Sequence, residues 1–282
     1  MLMRSGLRPR KSLGQHFLED PDIVNKLISL AHLSATDVVV EIGSGLGALT
    51  VPALHRVYHL VAVEKDPMLL SLLREKFTPQ ERQRITFISE DVLRIRLKEI
   101  YETFGKRLRI LGNLPYQISS PFLEQLIGNR DYIRNAILTF QYELAQRLTA
   151  VPNNKQYGAL TVIVQYYAMI SPLMKIGRNA FYPKPKVDGM VLEIDFDRPY
   201  PHKAKSDESL QRVVRAAFSC RRKTILNSLE RGMKSTPREI LVKALEETSI
   251  DPKRRAETLT IDEYIRLSSS LTPDTGLSHR VV

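Results

Sequence analysis

Five strand-forming residues run directly into a glycine-rich turn, and that junction limits the folds open to this chain. Val38-Val39-Val40-Glu41-Ile42 is a continuous apolar run carrying one acid, as expected of a strand covered on both faces in a parallel sheet. Gly43-Ser44-Gly45-Leu46-Gly47 follows, and an apolar helix begins at Ala48. A glycine turn between strand and helix lets a ligand approach the backbone closely. Three more strands repeat the pattern. Leu60 to Val63 ends in Glu64, Ile85 to Ile88 ends in Glu90-Asp91, and Leu108 to Leu111 passes Gly112 and ends in Asn113. Ala136 to Phe140 is a fifth candidate. Each of the first four strands thus carries a polar group to its carboxyl edge: Gly43 and Gly45, Glu64, Asp91, Asn113. In an open α/β sheet that edge is where ligands bind.

The spacing of these groups narrows the ligand. The turn reads G-x-G-x-G and lacks the third-glycine offset of the dinucleotide fingerprint. Glu64 lies about 20 residues past Gly43, where an acid meets both hydroxyls of a ribose. Glu41, just before the turn, suits an ammonium group, which a dinucleotide lacks. S-adenosylmethionine has an adenine, a ribose and an amino-acid tail. Those parts map onto Asp91, Glu64 and the Glu41–Gly47 stretch.

Asn113-Leu114-Pro115-Tyr116 supplies the other half of a reaction. Asn113 offers an amide oxygen as acceptor. Pro115 has no N–H and fixes φ, so the ladder stops and the Leu114 carbonyl is free to face outward. Tyr116 adds a flat ring and a hydroxyl. Two acceptors and a ring fit an exocyclic amine on a planar base.

With these residues in view, the chain resembles the small-subunit ribosomal RNA adenine N6,N6-dimethyltransferase family. The likeness covers nearly the whole chain, including 14–18, 41–50, 63–66, 91–93, 112–116 and Tyr157-Gly158. Its more diagnostic stretches are Phe181-Tyr182-Pro183-Lys184-Pro185-Lys186-Val187-Asp188 and Phe218-Ser219-Cys220-Arg221-Arg222-Lys223-Thr224. The resemblance implies an α/β, Rossmann-like class I methyltransferase fold with a smaller all-helical C-terminal domain. It implies S-adenosylmethionine-dependent dimethylation of two adjacent adenosines near the 3′ end of 16S ribosomal RNA, coupled to small-subunit biogenesis. His16, Leu18, Gly43, Glu64, Asp91 and Asn113 would contact the cofactor, with Glu41 and Gly45 beside them. Asn113, Leu114, Tyr116 and Phe181 would hold the adenine, with Pro115 shaping the turn. The chain departs from the family's pattern at Tyr142, where relatives usually carry lysine.

Composition sets the partner. The 282 residues carry a net charge of +11, which favours a polyanion, with nucleic acid first and a membrane surface second. The single cysteine, Cys220, excludes a cysteine-cluster metal site, and the six histidines show no metal spacing. No metal is expected, no secretion signal is seen, and a cytoplasmic monomer is anticipated. Arg10 and Lys11 in a basic N-terminal arm, and Arg221, Arg222 and Lys223 further on, are the expected RNA contacts. Composition shifts near residue 198, which divides the chain into a methyltransferase domain, 1–197, and a helical RNA-docking domain, 198–282. In the second, Ser206, Thr236 and Thr260 read as helix caps. Two other readings compete: a large-subunit adenine methylase, and a non-catalytic RNA-binding assembly or transcription factor that keeps the fold.

Overall fold

The computed structural model describes residues 15–272. Arg10, Lys11 and the segment from Pro273 lie outside the described residues. The described strands are, in chain order, β1 (Phe17–Leu18), β2 (Val38–Ile42), β3 (His59–Glu64), β4 (Ile85–Ser89), β5 (Leu108–Asn113), β6 (Ile133–Gln141), β7 (Met169–Ile176), β8 (Phe181–Tyr182) and β9 (Gly189–Asp195). Every residue of β2 is buried, as its apolar run requires. Strands β2 to β7 and β9 form one seven-stranded sheet in the order β4-β3-β2-β5-β6-β9-β7. The first five positions are parallel, while β9 runs antiparallel to both β6 and β7.

The order reverses at β2. From there β3 and β4 build one way, and the chain then returns to lay β5 on the other side. A crevice opens at such a switch, outside the carboxyl ends of the strands. Register decides which residues reach it. Ile42 stands opposite Val63 on one side and Gly112 on the other. Glu64 stands opposite Ser89, and Asn113 opposite Thr139. The polar residues at the strand ends therefore emerge at one level. Gly112 permits the β2–β5 contact, because a Cβ there would lie 2.6 Å from the Ile42 carbonyl oxygen.

The helix Pro21–Leu30 begins as its sequence dictates. The Asp20 side chain accepts from the backbone N–H groups of Asp22 and Ile23, with proline in the first turn. Val24, Leu27 and Ile28 form its buried face.

Three features depart from the sequence expectations. β7 was not expected: it contains Pro172, at a register shift between Pro172 and Met174, and proline is tolerated only at the rim of a sheet or at a bulge. Phe181–Tyr182, whose run into Pro183 and Pro185 reads in sequence as irregular, is a two-residue strand paired with β1. Thr236 does not cap, because the helix Arg238–Glu247 starts one residue late behind Pro237, without a side-chain cap.

The described residues fall into two units, 15–146 with 167–199, and 147–166 with 200–272. The expected division at 197/198 lies close to the later boundary but overlooked residues 147–166. That stretch is held inside the second unit: Asn153 N–H donates to the Glu257 carbonyl, and the Tyr166 hydroxyl donates to Asp207 Oδ1 at 2.8 Å. From 200 onward the second unit is helical. Its helices are Asp207–Ala217, capped by Ser206; Ile225–Gly232, capped by Thr224; Arg238–Glu247; and Ile261–Ser270, opened by a full capping box of Thr260 and Glu263.

Candidate active site

A cleft of about 1010 Å³ opens at the carboxyl ends of β2, β3 and β5. Of the residues expected from sequence, His16, Leu18, Glu41, Gly43, Gly45, Glu64, Asp91 and Asn113 to Tyr116 all line it. The turn after β2 is held from beneath, since the Val63 carbonyl accepts from the N–H groups of both Gly43 and Ser44. Gly45 has φ +49°, and a Cβ there would meet the Phe17 ring at 3.1 Å. A side chain at Gly45 would strain the backbone and crowd the cleft wall.

Two acids stand at different depths. Glu64 caps the turn, accepting from Gly45 N–H at 3.0 Å through Oε2 and from Asp66 N–H at 2.9 Å through Oε1. Burial pushes its carboxyl up, and those two backbone bonds oppose the rise. Glu41 is only 2% exposed, and its Oε2 has no hydrogen-bond partner. Burial pushes Glu41 up to about 8; the Thr50 hydroxyl opposes this and the Glu64 charge adds to it. The Ser44 hydroxyl, also buried in the cleft lining, has no partner either. A buried carboxylate and hydroxyl left unmatched are expensive unless a ligand completes them.

Asp91 follows β4 and is held differently. Lys65 donates to its Oδ2 at 2.8 Å and Leu93 N–H to its Oδ1 at 3.0 Å, and both keep the carboxyl below its ordinary range. Neither Lys65 nor Lys76 was anticipated. Lys76 Nζ donates to the Leu46 carbonyl at 2.5 Å and so ties a flanking helix to the glycine turn. A lysine at a helix end reads in sequence as surface charge, so no signal distinguished it.

On the opposite wall, Asn113 Nδ2 donates to the His16 carbonyl at 2.8 Å. A carbonyl can only accept, so the amide nitrogen is committed there and Oδ1 is left as the free acceptor. His16 Nδ1 donates to the Pro183 carbonyl at 2.6 Å, which leaves Nε2 an acceptor when the ring is neutral. The His16 and Tyr116 rings lie 6.1 Å apart. Burial pushes the Tyr116 phenol up, Asp188 adds to the rise, and the hydroxyl has no partner.

Phe181 does not line the cleft. It is 4% exposed and belongs to the core cluster with Leu18, Ile176, Ala180 and Val191. Its side chain, expected to hold the adenine, packs instead in the core on the face of the β1–β8 pair that it shares with Leu18. In the second unit, Arg221 bonds the Lys155 carbonyl and pairs with Glu257 at 3.5 Å, and it is exposed, as are Arg222 and Lys223. No cluster of three or more histidine, cysteine or acidic residues able to hold a metal occurs among the described residues. No helix among them is long and apolar enough to cross a membrane.

Known proteins resemble this arrangement. The family described as ribosomal RNA adenine dimethylase matches residues 6–272. The ribosomal RNA small subunit methyltransferase A of Desulforapulum autotrophicum is 41% identical over 271 residues, covering 96% of this chain and 95% of that protein. The protein of the same name from Bacillus cytotoxicus is 38% identical, covering 95% and 93%. Among solved structures, a dimethyladenosine transferase from Plasmodium falciparum superposes with a TM-score of 0.74 at 25% identity, over 89% of this chain and 95% of that one. The 23S rRNA methyltransferase ErmE superposes with a TM-score of 0.68 at 23% identity, over 90% and 99%; that likeness is one of fold.

Proposed function

The chain belongs to the ribosomal RNA adenine dimethylase family, and from that premise we propose that its cleft carries out S-adenosylmethionine-dependent dimethylation of adenine N6 on 16S ribosomal RNA. The substrate would be two adjacent adenosines near the 3′ end, met in the cytoplasm on a maturing small subunit by a monomeric enzyme. The reading as an rRNA adenine dimethyltransferase is favoured over a large-subunit methylase by 41% identity along 96% of the chain. It is favoured over a non-catalytic binder because a binder has no use for Glu64, Asp91 and Asn113 at one cleft.

The residues present fit the cofactor. Glu41 Oε2 and the Ser44 hydroxyl are buried without partners in the cleft lining, and an ammonium group would complete the carboxylate. Glu64 would take the ribose hydroxyls and Asp91 the adenine, with His16, Leu18, Gly43 and Gly45 beside them. When bound, the cofactor supplies an electrophilic methyl on a sulfonium sulfur.

The rest is done by the chain. The N6 lone pair of adenine is delocalised into the ring, so the amine is a poor nucleophile. Asn113 Oδ1 and the Leu114 carbonyl would accept hydrogen bonds from N6–H and draw that nitrogen toward sp³ geometry. The same oxygens favour the positive charge that grows on N6, an electrostatic preorganisation made of acceptors. Pro115, at φ −56° and ψ 126°, ends the ladder so that the Leu114 carbonyl is not consumed by it. The Tyr116 ring would replace the stacking lost when the base leaves its strand. Orientation of N6 contributes further, out of the ~7–11 kcal/mol that proximity can supply. No strong base is needed, since the proton leaves after N6 has become positive. The helical unit, with Arg222 and Lys223 exposed, would dock on structured RNA together with Arg10, Lys11 and Arg221.

The observation that supports this reading most is the Asn113 amide, whose nitrogen is spent on the His16 carbonyl and whose oxygen is not. Incubation with tritiated cofactor and unmethylated small subunits, followed by mapping of the modified bases, tests it. Label confined to N6 of two neighbouring adenines is expected; no incorporation would remove the proposal.

A further inference from the structure

Tyr182 stands next to the cleft wall, and Lys184 and Lys186 follow it closely in sequence. β8 pairs antiparallel with β1, with Phe17 opposite Tyr182 and Leu18 opposite Phe181. Directly opposed residues on an antiparallel pair turn to the same face. Leu18 and Phe181 share the buried face, at 5% and 4% exposure. Tyr182 therefore shares the other face with Phe17, whose ring is part of the cleft lining beside Gly45. The bond from His16 Nδ1 to the Pro183 carbonyl, 2.6 Å, pins this pairing to the wall. Tyr182 itself is 37% exposed.

The charges around it have one sign. Lys184 and Lys186 are exposed, and neither side chain has an ion pair or hydrogen bond among the described residues. Arg178 is exposed as well and donates to the Lys186 carbonyl at 3.3 Å. The nearby acid, Asp188, is already engaged by Lys175 at 3.1 Å and by the Arg178 backbone N–H. An open aromatic ring followed two and four residues later by unpaired, exposed lysines complements a flat base joined to phosphates. It complements an acidic protein or a lipid surface less well, since neither needs the ring.

We propose that Tyr182 is the stacking platform for the nucleotide adjoining the target adenosine, with Lys184 and Lys186 on its phosphates. The inference rests on the RNA adenine reading above and names the groups that hold the strand outside the cleft. Drawing one base inward leaves its neighbour with one uncovered face. A ring at the rim covers that face without regard to sequence.

The test is transfer of tritiated methyl to unmethylated small subunits by the full chain, compared with Tyr182→Ala, Tyr182→Leu, Tyr182→Phe and the double change Lys184→Ala, Lys186→Ala. Stacking of this kind predicts a KM for the subunit raised roughly tenfold to a hundredfold in Tyr182→Ala and Tyr182→Leu. Tyr182→Phe stays near the parent, and cofactor affinity is unchanged in all of them. The double lysine change should lower the slope of log affinity against log salt by about two. An unchanged KM in Tyr182→Ala, or a Phe variant as impaired as the Ala variant, overturns the platform. If Tyr182→Ala does not fold, the Leu and Phe pair decides in the same way. A parent chain that methylates no subunit defeats the functional reading itself, and this inference with it.

Discussion

The side-chain nitrogen of Asn113 donates to the backbone carbonyl of His16 across 2.8 Å, and this one bond settles which end of the amide the cleft sees. Asn113→Ala removes both the bond and the acceptor. Methyl transfer should fall by about 10²–10³ if the oxygen stabilises developing charge as a preorganised dipole does. Stability should fall by only about 1 kcal/mol, the usual net value of one hydrogen bond. Single-turnover transfer and thermal unfolding measure the two. A variant that folds and transfers normally would remove Asn113 from the mechanism.

Glu41 makes binding depend on pH. Its carboxyl is pushed up to about 8 in the free chain, first by burial. Between its unfolded value near 4.5 and about 8, the folded state therefore holds a proton that the unfolded state has lost. Folding stability contributed by this group is fully present below pH 4.5 and is lost as pH rises through 8. Glu41→Gln should thus gain stability relative to the parent toward pH 8, with little gain at pH 5. An ammonium ligand needs the ionised form, so binding should release a proton below pH 8. Cofactor affinity should then rise by up to tenfold per pH unit until about pH 8 and level off. Calorimetry in buffers of different ionisation enthalpy reads the proton directly.

Gly112 is a packing constraint with no chemistry of its own. A Cβ there would sit 2.6 Å from the Ile42 carbonyl oxygen, which is backbone and cannot swing away. Gly112→Ala should destabilise by roughly 1–3 kcal/mol, the scale of overpacking. Because the β2–β5 spacing sets the switch crevice, cofactor affinity should drop as well. Denaturant unfolding and cofactor titration separate the two effects.

The two threonine boxes should behave differently. Thr260 and Glu263 exchange both capping bonds, so Thr260→Ala should cost about 1 kcal/mol. Thr236 has the same sequence context but no cap bond at the helix behind it. Thr236→Ala should stay within about 0.5 kcal/mol of the parent. Unfolding midpoints measured side by side would show the contrast.

The parallel core was legible because covered strands must be continuous apolar runs; Val38–Ile42 and Leu60–Val63 admit little else. The strand ends were legible for a related reason, since Glu64 and Asn113 close their own apolar runs and register brings them level, with Asp91 two residues past Ser89. Where an element is short or proline-bearing, the pattern fails. Phe181 and Tyr182 make a strand too brief to reveal its phase, so the sequence does not show that Phe181 is the buried ring of the two. β7 hides behind Pro172. Residues 147–166 belong with helices about 40 residues or more further on through bonds such as Tyr166 to Asp207, and a contact of that range leaves no local mark. Lys65 and Lys76 were missed because a cation that braces a loop has the same local sequence as one in solvent.

Pro172 has one more effect. β7 is the outermost strand beyond β9, and such a margin offers spare backbone donors to any extended chain that drifts alongside. A residue without an N–H, set where the ladder already slips, breaks that row. A second molecule or a partly unfolded segment meets an interrupted row of donors along that margin.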